Sequence, residues 1–356
     1  MTLAGLGTNV IRASGFALLL LGPVGVVLDR LDVVDDLTLF VLAGASLIPI
    51  SWLIGEATDN VARYTGPGIG GFLNATFGNA PELIIAIVAV ADGLTDIVRA
   101  SLVGSIVGNL LLVLGFTLLL GREGGIDRVS AYVSLGLVGF TGLLVLLAAT
   151  PGFHGNPDRR SLAELSLPIA VLILIVRVVV TRRALRRQRA LYSSSSSSVE
   201  RDGWPLPTAL VVLGAATVVT AFVTETLVGT LRSFAARAHL SEFFVAVVIV
   251  AIIGNATEHG SAVLLARRGR VKLAVEISFA SSSQIAGLLI PVVVLISWGF
   301  EPLALSFRPV ELAAIGIAAL LPAIVLREGR TTRVGGAILL LAYSGLAVSF
   351  YLAGDR

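Results

Sequence analysis

The hexapeptide Gly78-Asn79-Ala80-Pro81-Glu82-Leu83 recurs as Gly254-Asn255-Ala256-Thr257-Glu258-His259, each copy inside an otherwise apolar stretch. A carboxylate buried in a membrane helix marks a functional site by default. Two of them in matching frames suggest a site built by duplication. Carboxylate oxygens suit hard cations, and calcium takes about six to eight oxygens from carboxylates, carbonyls, amides and water. Glu82 and Glu258 would supply the carboxylates, with carbonyls around Asn79 and Asn255 as further ligands. Glu82 and Glu258 lie 176 positions apart, and so do Ser105 and Ser281. The segments Gly104-Ser105-Ile106-Val107-Gly108-Asn109 and Ala280-Ser281-Ser282-Ser283-Gln284 are both small and hydroxyl-bearing, and both end in a carboxamide. Ser105, Asn109, Ser281 and Gln284 are therefore candidate neutral oxygens, or groups that orient the carboxylates. Helix–helix hydrogen bonding is an equally good reading of Asn109 and Gln284.

The same glutamates can serve a second ion. Two carboxylates held together away from water hold protons when no cation is present, and a divalent cation displaces them. Competition for one pair of carboxylates is the minimal chemistry of cation/proton antiport, and the pair would titrate as a unit. His259, beside Glu258, is the only histidine inside an expected span and is a candidate proton acceptor. The plainer reading is an uncharged histidine bonded to its neighbours.

These residues need helices to carry them. The chain has 356 residues, is 56% hydrophobic and only 14% charged, with a mean hydropathy of +0.93. A globular chain averages about 25% charged residues, whereas apolar runs of about 20 residues, enough to cross a bilayer, recur throughout this one. Without cysteine there are no disulfides or thiolate metal sites, and three histidines are too few for a histidine-rich metal centre. No nucleophile–base pair with plausible spacing is present, so an enzyme is not expected, and no cofactor is implied beyond the transported ions.

The hydropathy pattern predicts an all-α polytopic membrane protein of about eleven spans, near 10–28, 37–62, 70–92, 97–120, 129–150, 164–181, 207–230, 241–266, 272–298, 309–327 and 333–353. Four segments follow: a peripheral helix in 1–34, a first five-helix repeat in 35–181, a basic and serine-rich linker in 182–205, and a second repeat in 206–356. The linker joins Arg182-Arg183-Ala184-Leu185-Arg186-Arg187-Gln188-Arg189 to the flexible serine tract Ser193–Ser198. About 17 of the 26 basic residues fall on the side of the linker and N-terminus, including Arg122, Arg128, Arg267, Arg268, Arg270 and Lys272. That face is predicted to be cytoplasmic, with the C-terminus outside. In a membrane protein this basicity reflects topology and not nucleic-acid binding. An odd number of spans inverts the second block relative to the first, which brings the motifs together near the midplane. The expected partners are the bilayer, Ca2+ and H+, with homo-oligomer formation left open. An alanine- and glycine-rich chain that uses arginine in place of lysine and shows no targeting peptide fits a prokaryotic cell membrane.

A second acidic set comprises Glu56 with Asp59, and Glu225. Topology puts Glu56 near the cytoplasmic end of the second span and Glu225 near the outer end of the seventh, where acids at the two mouths would serve alternating entry. Ordinary interfacial carboxylates are the competing reading. Glu276 lies one turn from Lys272 and is read as its ion-pair partner.

At these residues the chain resembles the calcium/proton exchangers of the CAX family, within the calcium/cation antiporter superfamily. The resemblance covers nearly the whole chain. It rests on Gly70-Gly71-Phe72-Leu73-Asn74-Ala75-Thr76-Phe77-Gly78-Asn79-Ala80-Pro81-Glu82 and Gly104-Ser105 with Asn109 in one half. In the other it rests on Gly254-Asn255-Ala256-Thr257-Glu258-His259 and Ser281-Ser282-Ser283-Gln284-Ile285-Ala286. It implies one peripheral helix plus two inverted five-helix repeats, and exchange of cytosolic calcium for protons by alternating access. It further implies that Glu82 and Glu258 carry the cation and that His259 takes part in proton coupling. Sodium-using relatives usually lack the Glu-His pair. Pro81 stands where the family more often has a small or hydroxyl residue, which is expected to alter the helix break. Gly108 replaces a usual serine, Ala280 a usual glycine, and Glu276 a commonly small residue. A sodium/calcium or monovalent cation/proton exchanger on this fold, and a cation channel with facing glutamates, are the alternatives.

Overall fold

The computed structural model describes residues 18–153, 156–192 and 203–355. The start of the first expected span, His154 and the serine tract lie outside the described residues. Among those described, the chain is helical apart from turns and one isolated bridge between Gly125 and Arg330. In chain order the helices are α1 (Leu21–Arg30), α2 (Asp36–Phe77), α3 (Ala80–Ala91), α4 (Thr95–Leu120), α5 (Arg128–Ala149), α6 (Arg160–Tyr192), α7 (Leu206–Ala238), α8 (Glu242–Gly254), α9 (Ala256–Arg267), α10 (Val271–Ser297), α11 (Pro309–Val325) and α12 (Arg333–Ala353).

Seven of these contain a stretch long and apolar enough to cross a bilayer, and α8 with α9 makes an eighth if that bent pair is one span. The third and tenth expected spans appear as the shorter apolar helices α3 and α11. The reason for the first lies in α2. Its helix does not stop at the expected connection near 63–69 but runs on to Phe77, and the chain breaks at Gly78–Asn79 instead. In the second half the break falls at Asn255, where α8 and α9 meet at 60°. Asn79 (φ −110°, ψ 24°) and Asn255 (φ −91°, ψ 12°) both leave the helical region.

Element boundaries keep the spacing of the motifs. α3 and α9 both have 12 residues and start 176 positions apart. Each ends in a glycine with positive φ, Gly93 at 72° and Gly269 at 79°, a conformation in which only glycine escapes a steric penalty. α4 and α10 then begin, again 176 apart, and each widens into a π turn at its site residues: Gly108–Val113, which contains Asn109, and Ile285–Leu289, which follows Gln284. Such turns insert one residue into a helix and often occur at functional sites.

Packing divides the helices into two groups. α2 and α7 lie along one another, with Phe40 and Phe234 stacked at 4.1 Å, and α1 rests on both. The remaining helices surround α4 and α10, whose site-bearing stretches are almost wholly buried. α4 crosses α8 where Gly104 meets the backbone of Val247: a Cβ on Gly104 would stand 1.9 Å from the Val247 carbonyl oxygen. Only glycine fits that crossing, the close approach that small residues give membrane helices.

Candidate ion-binding site

The two chain breaks place the first turns of α3 and α9 in the middle of the bundle. Each motif glutamate is the third residue of its helix, where unpaired backbone N–H groups make a positive end that favours an anionic side chain. Pro81 sits at the second helical position and Thr257 is its counterpart. Proline is tolerated at this position, since it lacks a donor that the first turn does not use, and the asparagines that precede the two helices have similar backbone angles.

Neither Asn79 nor Asn255 caps its own helix with its side chain, so both carboxamides reach across the halves. The Asn79 Nδ2 donates to Gln284 Oε1 at 2.5 Å. The Asn255 Nδ2 donates to Ser105 Oγ at 2.8 Å and to its own Ala251 carbonyl. Asn109 is the hub, donating to Asn255 Oδ1 at 2.9 Å and to Ser281 Oγ at 3.0 Å. Asn79, Ser105, Asn109, Asn255 and Ser281 are all buried, so the bonds among Ser105, Asn109, Asn255 and Ser281 form where water cannot replace them. Every residue of the expected supporting shell is therefore in the network. Asn109 joins helices through its amide, while its Oδ1 remains buried without a partner.

Glu82 is 6% exposed and both its carboxylate oxygens are buried without a hydrogen-bond partner. Its Cγ rests on Gly254 of the opposite motif, 3.3 Å from where a Cβ there would stand. Glu258 lies within electrostatic reach of it and is half-buried. Among the described residues no three acidic or histidine side chains are placed to hold one metal ion. A cation here would be held by two carboxylates plus neutral oxygens. His259, half-buried, has its Nε2 buried without a partner, and its Cε1 lies 3.9 Å from the point a Gly108 Cβ would occupy.

The outlying acids are not part of this cluster. Glu56, half-buried on α2, accepts a long bond from Asn60 Nδ2 at 3.4 Å. The Asn60 Oδ1 in turn accepts from the Trp204 backbone just before α7. Glu225 is paired with Arg30 of α1 at 3.1 Å, both side chains being largely exposed. Asp29 accepts from Thr226 at 2.7 Å, so α1 is fastened to α7 at two adjacent points. No ion pair joins Lys272 and Glu276 among the described residues.

Sequence reasoning missed two buried charged groups, Glu311 in the first turn of α11 and Arg99 in α4. Arg99, 1% exposed inside α4, is held by Asp96 at 2.7 Å, Asp158 at 2.9 Å and the Ala304 carbonyl at 3.2 Å. An arginine in an apolar run was the available signal. Its place near a span end made it look like a flank.

The family model described as "Sodium/calcium exchanger protein" matches residues 36–186 and 208–352. The chain belongs to that family. It is 37% identical over 323 residues to the Ca(2+)/H(+) antiporter ChaA of Bacillus subtilis (strain 168), covering 88% of this chain and 92% of that one. The structure of native YfkE superposes with a TM-score of 0.79 at 35% identity, covering 95% of this chain and 99% of that one. The structure of an H+/Ca2+ exchanger, CAX, matches with a TM-score of 0.70 over 96% of this chain and 92% of that one; at 16% identity it speaks for the fold alone. This family member is thus a transporter built of apolar membrane helices, and not an enzyme.

Proposed function

We propose that the chain is a secondary antiporter that exports Ca2+ from the cytosol in exchange for H+ by alternating access. One observation carries the reading. Both oxygens of Glu82 are buried without a partner at the positive start of a broken helix, within electrostatic reach of Glu258 at the start of another. Buried polar atoms without partners are rare and call for a ligand or a proton. Ca2+ binds the pair when both are ionised, and protons take its place on the return. An empty, doubly charged site resists crossing, because an unpaired charge away from water is strongly disfavoured. His259 borders the site and assists proton exchange.

The recurrence of helix starts, glycine turns and π turns at matching positions supports two inverted five-helix repeats spanning 35–181 and 206–356, joined by the linker and preceded by a peripheral helix. The family match in two blocks agrees with that division. The α2–α7 pair moves against the remaining helices, with Glu56 and Glu225 near its two ends. Arg30 must leave Glu225 for that acid to receive a cation. The excess of arginine in the loops on one side supports a cytoplasmic N-terminus and linker, with the C-terminus outside. The relatives named as Ca2+/H+ antiporters support the pairing of ions.

The test is calcium uptake into proteoliposomes under an imposed pH gradient, without sodium and with internal pH recorded. The expected result is calcium accumulation coupled to proton flow, lost in Glu82→Gln and in Glu258→Gln. Calcium flux that needs sodium and moves no protons would overturn the reading.

A further inference from the structure

Glu276 is a carboxylate that the exchange chemistry leaves unused. It stands in the second turn of α10, half-buried, and makes no ion pair or hydrogen bond among the described residues. Residues four apart on a helix drift by only about 40°, so they form a continuous oblique stripe, which turns by about 120° over its three steps. On α10 that stripe is Lys272, Glu276, Ala280 and Gln284, and each of the four is exposed or half-buried. It begins at the face carrying Arg267, Arg268 and Arg270, and it ends at the Gln284 carboxamide, which holds Asn79 three residues before Glu82. From Glu276 to Gln284 is about 12 Å along the axis. The opposing start of α9 is accessible too, from Glu258 to Ser261.

The matching stripe of the first half is Asp96, Ala100, Gly104 and Gly108. Asp96 borders a cavity of about 570 Å³ that also touches Asp158 and Arg308. Beyond it Ala100, Gly104 and Gly108 are all buried, and Gly104 is blocked by the Val247 carbonyl. The two approaches are thus unequal in access and in charge. One is sealed and has Ala100 where the other, accessible, has Glu276.

We infer that the Lys272–Glu276–Ala280–Gln284 stripe of α10 is a hydrated approach to the glutamate pair, and that Glu276 is its cation-collecting residue. The four basic residues at its mouth repel a divalent cation. Glu276 is the first carboxylate past them and offsets that field where screening by salt is incomplete. The inference rests on the exchange reading only for the identity of the cation.

Two measurements test it. The chain has no cysteine, so Ala280→Cys is a single reporter. A charged methanethiosulfonate reagent attacks thiolates, which form in water and not in lipid. In proteoliposomes Ala280→Cys should react at least about tenfold faster than Leu320→Cys, which is 66% exposed on the apolar surface of α11. Equal rates would mean that the stripe faces lipid and would overturn the inference. This readout needs no transport, so it stands or falls apart from calcium/proton exchange. Second, Glu276→Gln should raise the KM for Ca2+ about three- to tenfold at low ionic strength, leave kcat unchanged, and approach wild type at about 0.5 M salt. Lys272→Gln should shift KM the other way. A Glu276→Gln effect confined to kcat, or one indifferent to salt, would assign the residue to packing and overturn its role.

Discussion

Glu82 of the first motif lies against Gly254 of the second, its Cγ 3.3 Å from where a Cβ there would stand, a few tenths of an ångström too close. Gly254→Ala should therefore push the carboxylate aside without unfolding the protein, since the atom in the way belongs to a movable side chain. The expected result is an increase in the KM for Ca2+ of about tenfold with a near-normal melting temperature. Transport assays and thermal unfolding in detergent would read the two effects separately.

Asn109 donates to both Asn255 and Ser281. In Asn109→Ala those two oxygens lose their donor while buried, at about 1–3 kcal/mol for each unpaired group. Asn109→Asp preserves shape but, when ionised, cannot donate, so it should rescue neither stability nor transport. A rescue by aspartate would remove the amide from this role.

Lowering the pH on the calcium-loading face should raise the apparent KM for Ca2+ and leave the maximal rate at saturating Ca2+ unchanged. The sign follows from competition: each bound proton neutralises an oxygen the cation needs, and binding the cation releases it. Glu82 and Glu258 act together, so the profile should report the pair. A calcium titration at several pH values checks this, and a fall in maximal rate with constant KM would contradict it.

The Arg99 cluster makes an asymmetric prediction. Arg99 is almost wholly buried, whereas the side chains of Asp96 and Asp158 are 46% and 30% exposed. Removing an acid strands part of a buried charge, whereas removing the arginine returns two acids to water. Asp158→Ala should therefore destabilise by about 3 kcal/mol and Arg99→Met by less. Unfolding midpoints of the two variants give the order.

Much of the site was legible because polar residues in apolar runs have few reasons to be there. Glu82, Glu258, Asn79, Asn255, Ser105, Asn109, Ser281 and Gln284 could all be chosen from type and spacing. What spacing did not reveal was who bonds to whom, since the Asn109–Asn255 bond depends on how two distant helices cross. The continuation of α2 to Phe77 was hidden by Gly66-Pro67-Gly68, which reads as a turn. Likewise the Glu276–Lys272 pair was a sound helical inference, yet exposed pairs of this kind are worth only a few tenths of a kcal/mol and need not form.

The contact between Gly104 and Val247 has a mechanical consequence. A slide of α4 along α8 by about one turn, roughly 5.4 Å, would bring the side chain of Ala100, which shares the face of Gly104, onto the carbonyl that now fills the glycine's notch. The crossing works as a key in its slot: the two helices travel together or not at all. Shear must then occur along some other seam, and the proposed movement of α2 and α7 against the rest of the bundle uses one that leaves this crossing intact.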